Sequence, residues 1–396
     1  MKVCFETFGC RLNKAEALQM EAEYLAKGWT LTQHHSDADL IVVRGCSVTQ
    51  RAQRDCEKFI AQLKERHPFT RIKICGCIES KSSQTAADIN ESAPSSSPPP
   101  VATPVRTARA YLKVQDGCSG KCSFCIVPKF RGKSVSIPFT DVIAKAQAFI
   151  EAGYREIVVT GCNLSLYASE GKRLAELIHS LASLTPSSSA ERTRIRLGSV
   201  EPGSAALELV HAMAENENIC RFLHIPVQSG SNKILTAMKR PYLAKDVDLL
   251  AQTALSLVPN IGLGCDFITG FPGETDVDFL ATKSILKRHG FSTVHVFPYS
   301  ERPGTSAATF TQQIDPDIRS QRARELSTIA ESTRYAFARK FYGKTVEIVS
   351  EREGKCVGRT SEYLHCKAIG TEKRKDLVKI FITNIHHDGS LEGVIR

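Results

Sequence analysis

The fold is decided by residues 111–125, which read YLKVQDGCSGKCSFC. Residues 111–115 have the composition of a strand, and Cys118, Cys122 and Cys125 follow directly after it. Three thiols at this spacing can wrap one loop around three corners of a cuboidal iron–sulfur cluster, which is fully ligated by four cysteines. With three ligands, one iron stays open for an outside group. The stretch therefore predicts an open metal cluster at the carboxyl end of a strand, where barrel enzymes place their chemistry.

Two other sites are compatible with parts of this loop. A zinc site would need a fourth ligand, and no Cys or His follows Cys125 at the usual short spacing. A thioredoxin-like motif would use Cys122 and Cys125 and leave Cys118 without a role. The iron–sulfur cluster uses all three cysteines and is the interpretation that we adopt.

Alternating strand and helix patterns extend on the C-terminal side of this loop. Strands are predicted at residues 111–115, 156–160, 194–200, 222–227, 264–269 and 293–298. Helices are predicted at residues 139–152, 173–184, 205–216, 232–238, 244–258 and 275–289. An unbroken series of βα units favours a partial (β/α)6 barrel over a doubly wound sheet, although the sequence leaves both open.

An N-terminal α/β unit carries a second group of three cysteines. Its strands are predicted at residues 2–8, 39–43 and 71–75 and its helices at 14–27 and 49–65, which implies a mostly parallel sheet. Each strand is followed by a glycine and then by Cys10, Cys46 or Cys77. Because parallel strands end at one edge, we expect these cysteines to converge and hold a second cluster. The glycines would permit sharp turns, and the alternative is that each cysteine is a small buried core residue.

Composition divides the chain into three domains and a linker. Residues 80–105 are rich in Ser and Pro and predict a linker. Short alternating segments at residues 346–350, 355–360, 364–368, 377–383 and 391–395 predict a small all-β barrel of a type that often binds oligonucleotides. The predicted domains are an N-terminal α/β domain (residues 1–79), the partial barrel (residues 106–338) and the C-terminal barrel (residues 339–396).

Composition also excludes several classes of protein. Of the 396 residues, 42% are hydrophobic and 24% charged, as in ordinary globular chains. No run of apolar residues is long enough to span a bilayer, and the N terminus lacks the core of a secretion signal, so we expect a cytoplasmic protein. Fourteen cysteines in such a protein indicate metal binding or redox chemistry rather than disulfides. The net charge of +10 suits a polyanionic partner.

Taken with these motifs, the chain resembles the radical S-adenosylmethionine (SAM) methylthiotransferases over nearly its whole length. The CxxxCxxC pattern is the signature of the wider radical SAM superfamily. The motifs TFGCRLN (7–13), GCSVT (45–49) and GC (76–77) are similar to the methylthiotransferase domain. Further similar motifs follow in family order: IVP (126–128), SVEP (199–202), HIPVQSGS (224–231), GFPGE (270–274) and FPYS (297–300). The C-terminal barrel is similar to the RNA-binding TRAM domain.

The resemblance implies the cofactors and their ligands. A 4Fe-4S cluster on Cys118, Cys122 and Cys125 would bind SAM and yield a 5′-deoxyadenosyl radical. A second 4Fe-4S cluster, on the N-terminal cysteines, would supply or carry sulfur. Such cofactors carry the difficult chemistry, so no side chain is expected to act as an acid or base. By motif, SAM contacts are expected at Phe124, Gly161, Asn163, Glu201, Gln228, Ile268, Gly270 and Phe297.

The implied function is modification of tRNA. The motif FGCRLN and the stretch HVFPYSERPGT (295–305) are most similar to the branch that adds a methylthio group to C2 of N6-threonylcarbamoyladenosine at position 37. Other branches act on isopentenyladenosine in tRNA or on an aspartate of a ribosomal protein. Two further alternatives are a different radical SAM reaction that leaves the N-terminal cysteines unused, and a non-catalytic RNA-binding iron–sulfur protein.

The expected partners are the tRNA anticodon stem-loop, a cellular electron donor and a sulfur source, and we expect a monomer. Residues 106–133 contain seven bases and one acid, and residues 44–73 eight bases and three acids, so basic surface near the clusters would hold phosphates. Residues 343–396 contain ten bases and eight acids, which is only weakly basic. There we expect base stacking, with Tyr363 and Phe381 as candidates.

Overall fold

The computed structural model describes residues 1–78, 107–185, 192–352, 354–370 and 375–396. The predicted linker at residues 80–105 lies outside the described residues. Within the described ranges the chain forms an N-terminal parallel α/β domain, a partial barrel and a small C-terminal β-barrel, so the predicted fold class is confirmed. No helix among the described residues combines the length and the apolar character that crossing a bilayer requires.

The N-terminal domain is a four-stranded parallel sheet. Its strands are β1 (Lys2–Thr7), β2 (Thr30–Leu31), β3 (Leu40–Cys46) and β4 (Arg71–Cys77), in the order β2-β1-β3-β4. Its helices are α1 (Arg11–Ala26) and α2 (Gln50–Arg66). Strands β3 and β4 are longer than predicted, since the ladder continues through the Gly-Cys pairs and matches Gly45 with Gly76 and Cys46 with Cys77. The sheet edge therefore ends at the cysteines themselves.

The partial barrel consists of two three-stranded parallel sheets. They contain β5 (Ala110–Lys113), β8 (Glu156–Thr160) and β11 (Arg194–Leu197), then β12 (Phe222–Gln228), β13 (Gly262–Thr269) and β14 (Thr293–Pro298). Parallel bridges from Ile195 to Ile219 and from Ser199 to His224 join them into one curved wall. Two short hairpins, β6 (Gln115–Asp116) with β7 (Val135–Ser136) and β9 (Ala168–Ser169) with β10 (Lys172–Arg173), decorate it. The six predicted strands are all present.

Helices pack around this wall, most of them on its outer face. They are α3 (Val127–Arg131), α4 (Phe139–Glu151), α5 (Leu174–Ala182), α6 (Ser204–Glu215), α7 (Asn232–Ala237), α8 (Ala244–Leu257), α9 (Asp276–His289) and α10 (Pro316–Ala338). The predicted helices are confirmed, whereas α3 and α10 were not anticipated. Helix α10 begins at a side-chain cap from Asp315 with Pro316 in its first turn, a common helix start. One large apolar core lies between the strands and the helices.

The C-terminal domain is a nearly closed five-stranded barrel. Its strands are β15 (Thr345–Val349), β16 (Cys356–Arg359), β17 (His365–Ile369), β18 (Leu377–Ile385) and β19 (Leu391–Ile395), in the order β15-β18-β19-β17-β16. An isolated antiparallel bridge between Ile348 and Thr360 brings the two edge regions together. The small barrel has its own apolar core, so it folds around a separate centre from the partial barrel.

Candidate metal centres and active site

The three N-terminal cysteines meet at one edge of the parallel sheet. Cys46 and Cys77 are register partners at the ends of β3 and β4, and Cys10 is the N-cap of α1. Burial raises the pKa of the Cys46 thiol, and the neighbouring thiols of Cys10 and Cys77 raise it further. Cys46 and Cys77 are buried and Cys10 is exposed. The expected convergence of these residues is therefore present in the structure.

Glycine is required where β1 turns into α1. Gly9 has a φ of +93°, and a Cβ atom built on it would lie 2.7 Å from the Cβ of Cys46. An L side chain is strained at this φ and would also collide with the neighbouring cysteine. The glycine thus lets Cys10 approach the other two thiols.

Asn13 holds this turn against the neighbouring strand. Its Nδ2 donates 2.8 Å hydrogen bonds to the carbonyl oxygens of Phe8 and Gly45. The Asn13 side chain is buried, and its two hydrogen bonds satisfy carbonyl oxygens that water does not reach. In this way the FGCRLN motif fixes the position of Cys10 relative to β3.

Arg131, on α3 of the partial barrel, reaches into the N-terminal centre. Its Nε donates a 2.8 Å hydrogen bond to Cys77 Sγ, and a terminal nitrogen donates 2.8 Å to Asn13 Oδ1. The same guanidinium forms 3.0 Å ion pairs with Glu16 and Asp116. Burial disfavours the cation, but these acceptors more than offset that cost and raise the pKa of Arg131. The side chain thus connects the segment that follows Cys125 to Cys77 of the N-terminal group.

The second group of cysteines lies on the loop between β6 and α3. The backbone N–H of Gly120 points at Cys118 Sγ over 3.3 Å, and a Cβ atom on Gly120 would lie 3.2 Å from that sulfur and 3.8 Å from Cys122 Sγ. Burial raises the pKa of Cys125 to about 11, with smaller contributions from the thiols of Cys122 and Cys118. The three sulfurs therefore share one small, partly enclosed space.

Arg240 is the counterpart of Arg131 at this loop. It donates 2.9 Å to Cys122 Sγ, 2.8 Å to the Tyr242 hydroxyl and 2.6 Å to a carboxylate oxygen of Glu201. The motifs carried no signal for this arginine, and sequence reasoning missed it. Arg131 lies in the basic stretch at residues 106–133, but its contact with Cys77 was not foreseen. Each cysteine trio thus has one buried cation on one of its sulfurs.

Both trios fit iron–sulfur clusters by donor chemistry. Each offers three soft sulfur ligands, and neither has a neighbouring imidazole in contact with its thiols among the described residues. Hydrogen bonds to ligand sulfurs, from Gly120, Arg240 and Arg131, are the kind of contact that stabilises and tunes such clusters.

The residues expected to contact SAM lie at the carboxyl ends of the barrel strands. Gly161 follows β8, and Gly270 follows β13. Gln228 is the last residue of β12, and Phe297 lies one residue before the end of β14. Gln228 adopts the left-handed φ of 64°, which non-glycine residues rarely take and which is frequent at functional sites. The strand ends therefore form one rim beside the CxxxCxxC loop.

The remaining four expected SAM contacts have structural partners. Phe124 and Ile268 pack against one apolar cluster that includes Phe271 and Tyr299. The Asn163 side chain accepts from the backbone N–H of Ser165 at 3.2 Å and caps a short turn. Glu201 is paired with Arg240. These four residues are brought to the same rim, but Asn163 and Glu201 already satisfy part of their polar groups there.

Two expectations about RNA contacts need correction. Tyr363 stacks on Phe222 with ring centroids 4.6 Å apart, and the Arg11 guanidinium lies over the tyrosine ring at 5.1 Å, so Tyr363 is an internal contact between domains. Arg109 and Lys113 are occupied in ion pairs with acids such as Glu16 and Glu156. Among the described basic residues at positions 107–133, Lys121, Lys129 and Lys133 are exposed.

Comparisons with known proteins match both cysteine-bearing regions. A model of the Radical SAM superfamily matches residues 112–286, and a model of the uncharacterized protein family UPF0004 matches residues 2–95. The tRNA-2-methylthio-N(6)-dimethylallyladenosine synthase of Zymomonas mobilis is 30% identical and covers 88% of this chain and 86% of its own length. The threonylcarbamoyladenosine tRNA methylthiotransferase MtaB of Bacillus subtilis is 28% identical, with coverages of 93% and 91%.

Among solved structures, a radical S-adenosylmethionine methyltransferase from Kitasatospora setae aligns with a TM-score of 0.56 at 12% identity. The alignment covers 78% of this chain and 77% of that chain. At such identity the likeness concerns the fold alone.

Proposed function

The chain belongs to the radical SAM methylthiotransferases, and from this we propose that it adds a methylthio group to C2 of N6-threonylcarbamoyladenosine at position 37 of tRNA. The enzyme uses two 4Fe-4S clusters and SAM. When bound, these cofactors supply a 5′-deoxyadenosyl radical and the sulfur that is transferred. The protein supplies the binding, the orientation and the electrostatic environment.

One observation carries the proposal: a side chain from the segment just after the CxxxCxxC loop contacts a sulfur of the N-terminal trio. Arg131 follows the CxxxCxxC loop by six residues, and its Nε lies 2.8 Å from Cys77 Sγ. In the proposed assignment, Cys118, Cys122 and Cys125 hold the cluster that binds SAM, and Cys10, Cys46 and Cys77 hold the sulfur-supplying cluster. A substrate base between the two would face both groups at short range.

The rim of barrel strands supports a SAM site next to the first cluster. Gln228 and Phe297 belong to β12 and β14, which lie on either side of β13 in one sheet, and Phe297 is 41% exposed. An exposed aromatic ring at a strand end offers a face on which a purine can stack. Lys121, Lys129 and Lys133 would contact the phosphates of the surrounding stem-loop, because they are exposed on the same segment as the cysteines.

The choice of the threonylcarbamoyl branch rests on two stretches, FGCRLN at residues 8–13 and HVFPYSERPGT at residues 295–305. Named relatives include both the threonylcarbamoyladenosine and the dimethylallyladenosine enzymes at similar identity. The dimethylallyl branch is therefore the alternative that an experiment must separate.

Mass spectrometry of tRNA nucleosides from cells that lack this protein tests the branch directly. Loss of the methylthio derivative of N6-threonylcarbamoyladenosine supports the proposal, and loss of the isopentenyl derivative instead assigns the other branch. Loss of neither nucleoside contradicts a role in tRNA methylthiolation.

Two cysteine variants test the division of labour. Cys122→Ala is expected to abolish formation of 5′-deoxyadenosine, whereas Cys46→Ala is expected to retain it and to lose sulfur insertion. Cys75→Ala is a matched control, since this thiol lies on β4 two residues before Cys77 but outside the trio. Methylthiolated tRNA from Cys46→Ala would contradict the sulfur-supplying role.

A further inference from the structure

A third group of potential ligands lies on the wall of the partial barrel, apart from both cysteine trios. His224 is on β12, Asp266 on β13 and His295 on β14. Their neighbours Ile225, Cys265 and Val294 belong to the large apolar core. Because side chains alternate along a strand, the three polar residues point to the opposite, inner face of the wall.

The donor atoms of these residues are close together. Asp266 Oδ1 lies 3.3 Å from His224 Nε2 and 2.9 Å from His295 Nδ1, and the three donor atoms are all within 4.8 Å of one another. Ligand atoms about 2.1 Å from a divalent ion are separated by roughly 3.0–3.4 Å in octahedral or tetrahedral geometry. Two of the three separations already match that value.

His224 is oriented in the way that metal-binding histidines usually are. Its Nδ1 is 2.9 Å from Ser199 Oγ, which fixes the ring, while Nε2 faces Asp266. The residue is 7% exposed, and Nε2 approaches Asp266 at 3.3 Å without forming a hydrogen bond of good geometry. A buried nitrogen without a well-formed hydrogen bond is costly unless something else binds it, and a hydrogen bond on the other ring nitrogen is typical of metal-binding histidines.

The site lies one layer below the rim of expected SAM contacts. Ile268 follows Asp266 by two residues, and Phe297 follows His295 by two residues. Two residues of strand correspond to about 7 Å. His295 has 53% of its side chain exposed, so the third ligand faces open space rather than packed protein.

From these observations we infer that His224, Asp266 and His295 form a binding site for a divalent transition-metal ion, distinct from both iron–sulfur clusters. Two imidazoles and one carboxylate suit Zn²⁺, Fe²⁺ or Mn²⁺, whereas the cysteine trios suit clusters. Three protein ligands leave further positions open for water or for an oxygen or nitrogen atom of a bound molecule. The inference concerns metal binding and does not depend on which tRNA nucleoside is the substrate.

Zinc binding to the cluster-reconstituted protein tests the inference. The protein is dialysed anaerobically against Zn²⁺, and zinc and iron per chain are measured by mass spectrometry, so that filled cysteine trios cannot account for the zinc. We expect about one zinc per chain in the wild type, and almost none in His295→Ala or Asp266→Asn with unchanged iron. His386→Ala removes an imidazole that is paired with Glu392 but belongs to no three-ligand group among the described residues, and it should retain the zinc.

Wild-type protein that retains no zinc would overturn the inference. Equal zinc in the wild type and in His295→Ala would overturn it as well. His295 is the decisive position, because its half-exposed side chain can be removed without disturbing the core even if Asp266→Asn fails to fold. A failed tRNA assay with normal zinc binding would count against the proposed function alone.

Discussion

Arg131 Nε and Cys77 Sγ are 2.8 Å apart, although the arginine belongs to the partial barrel and the cysteine to the N-terminal domain. The guanidinium also holds Asn13, which fixes the turn that carries Cys10. One cation therefore acts both on a candidate cluster ligand and on the loop that positions another. Through this contact, a residue of the partial barrel takes part in the candidate cluster site of the N-terminal domain.

Replacing Arg131 should impair the second cluster while sparing SAM cleavage. Arg131→Gln removes the positive charge beside Cys77, and loss of a hydrogen-bonding partner of a metal ligand typically costs about 10- to 100-fold in metal affinity or activity. The measurements are iron per chain, sulfur insertion into tRNA and formation of 5′-deoxyadenosine. Arg131→Lys, which keeps the charge but not the fork of donors, should give partial recovery. Equal loss of SAM cleavage and sulfur insertion would contradict the separate roles.

Gly9 offers a steric test of the N-terminal centre. In Gly9→Ala the added Cβ would lie 2.7 Å from Cys46 Cβ, so we expect loss of the second cluster, measured as iron per chain. Gly28→Ala is the matched control, since its φ of +82° is similar but no atom lies within 4 Å of the added Cβ. Both variants carry a backbone cost of about 1–2 kcal/mol, but only Gly9→Ala should lose iron. Loss of iron from both variants would indicate that backbone strain, and not the contact with Cys46, is the cause.

Arg240 should matter for the first cluster and for SAM. Arg240→Gln removes the donors to Cys122 and Glu201, so we expect the rate of 5′-deoxyadenosine formation to fall by about 10- to 100-fold. Tyr242→Phe keeps the arginine and removes the hydroxyl that contacts Arg240 and the Pro226 carbonyl oxygen, and it should have a much smaller effect. Unchanged SAM cleavage in Arg240→Gln would show that this contact is dispensable.

Glu156 anchors the C-terminal barrel through buried arginines. Its carboxylate accepts 2.7 Å bonds from Arg194 and Arg196, which in turn donate to carbonyl oxygens of the C-terminal barrel such as that of Thr360. Glu156→Gln leaves buried cations without their counter-ion, so we expect unfolding to be easier by about 3–5 kcal/mol, measured by thermal or denaturant unfolding. Glu325→Gln, at an exposed ion pair, should change stability by at most about 1 kcal/mol.

The same network gives a pH dependence with a defined sign. The arginines hold the pKa of Glu156 well below its ordinary value of 4.5, so the unfolded chain binds a proton at higher pH than the folded chain does. The contribution to stability is therefore complete above about 4.5 and decreases as the pH falls below it. Acid unfolding curves of the wild type and Glu156→Gln should converge at low pH. If the stability difference between the wild type and Glu156→Gln stays constant down to low pH, the assignment of this pH dependence to Glu156 is contradicted.

Local patterns predicted most of the fold. The βα period gave the strands of the barrel, and the Gly-Cys pairs gave the edge where Cys46 and Cys77 lie side by side, because parallel topology leaves little choice of location. Helix α10 escaped prediction because Arg319 and Arg322 are buried on its packed face, where they pair with Glu301 and Glu274. Buried charges interrupt the apolar period on which helix prediction depends.

The contacts between residues far apart in the chain could not be predicted from the sequence. Arg240 reaches Cys122 across 118 positions of sequence, and Tyr363 meets Phe222 across an interface that no local pattern encodes. The His224–Asp266–His295 group likewise depends on register between neighbouring strands. Such arrangements follow from tertiary packing, and single residues carry no signal for them.

The account rests on two clusters held by different cysteines, and the iron content of one variant tests this most directly. A chain in which Cys10, Cys46 and Cys77 are all replaced by Ala is reconstituted anaerobically beside the wild type. We expect about eight irons per wild-type chain and about four in the variant, which should still form 5′-deoxyadenosine. A variant that keeps about eight irons would contradict the second cluster, and one that loses SAM cleavage with four irons would contradict the division of labour between the trios.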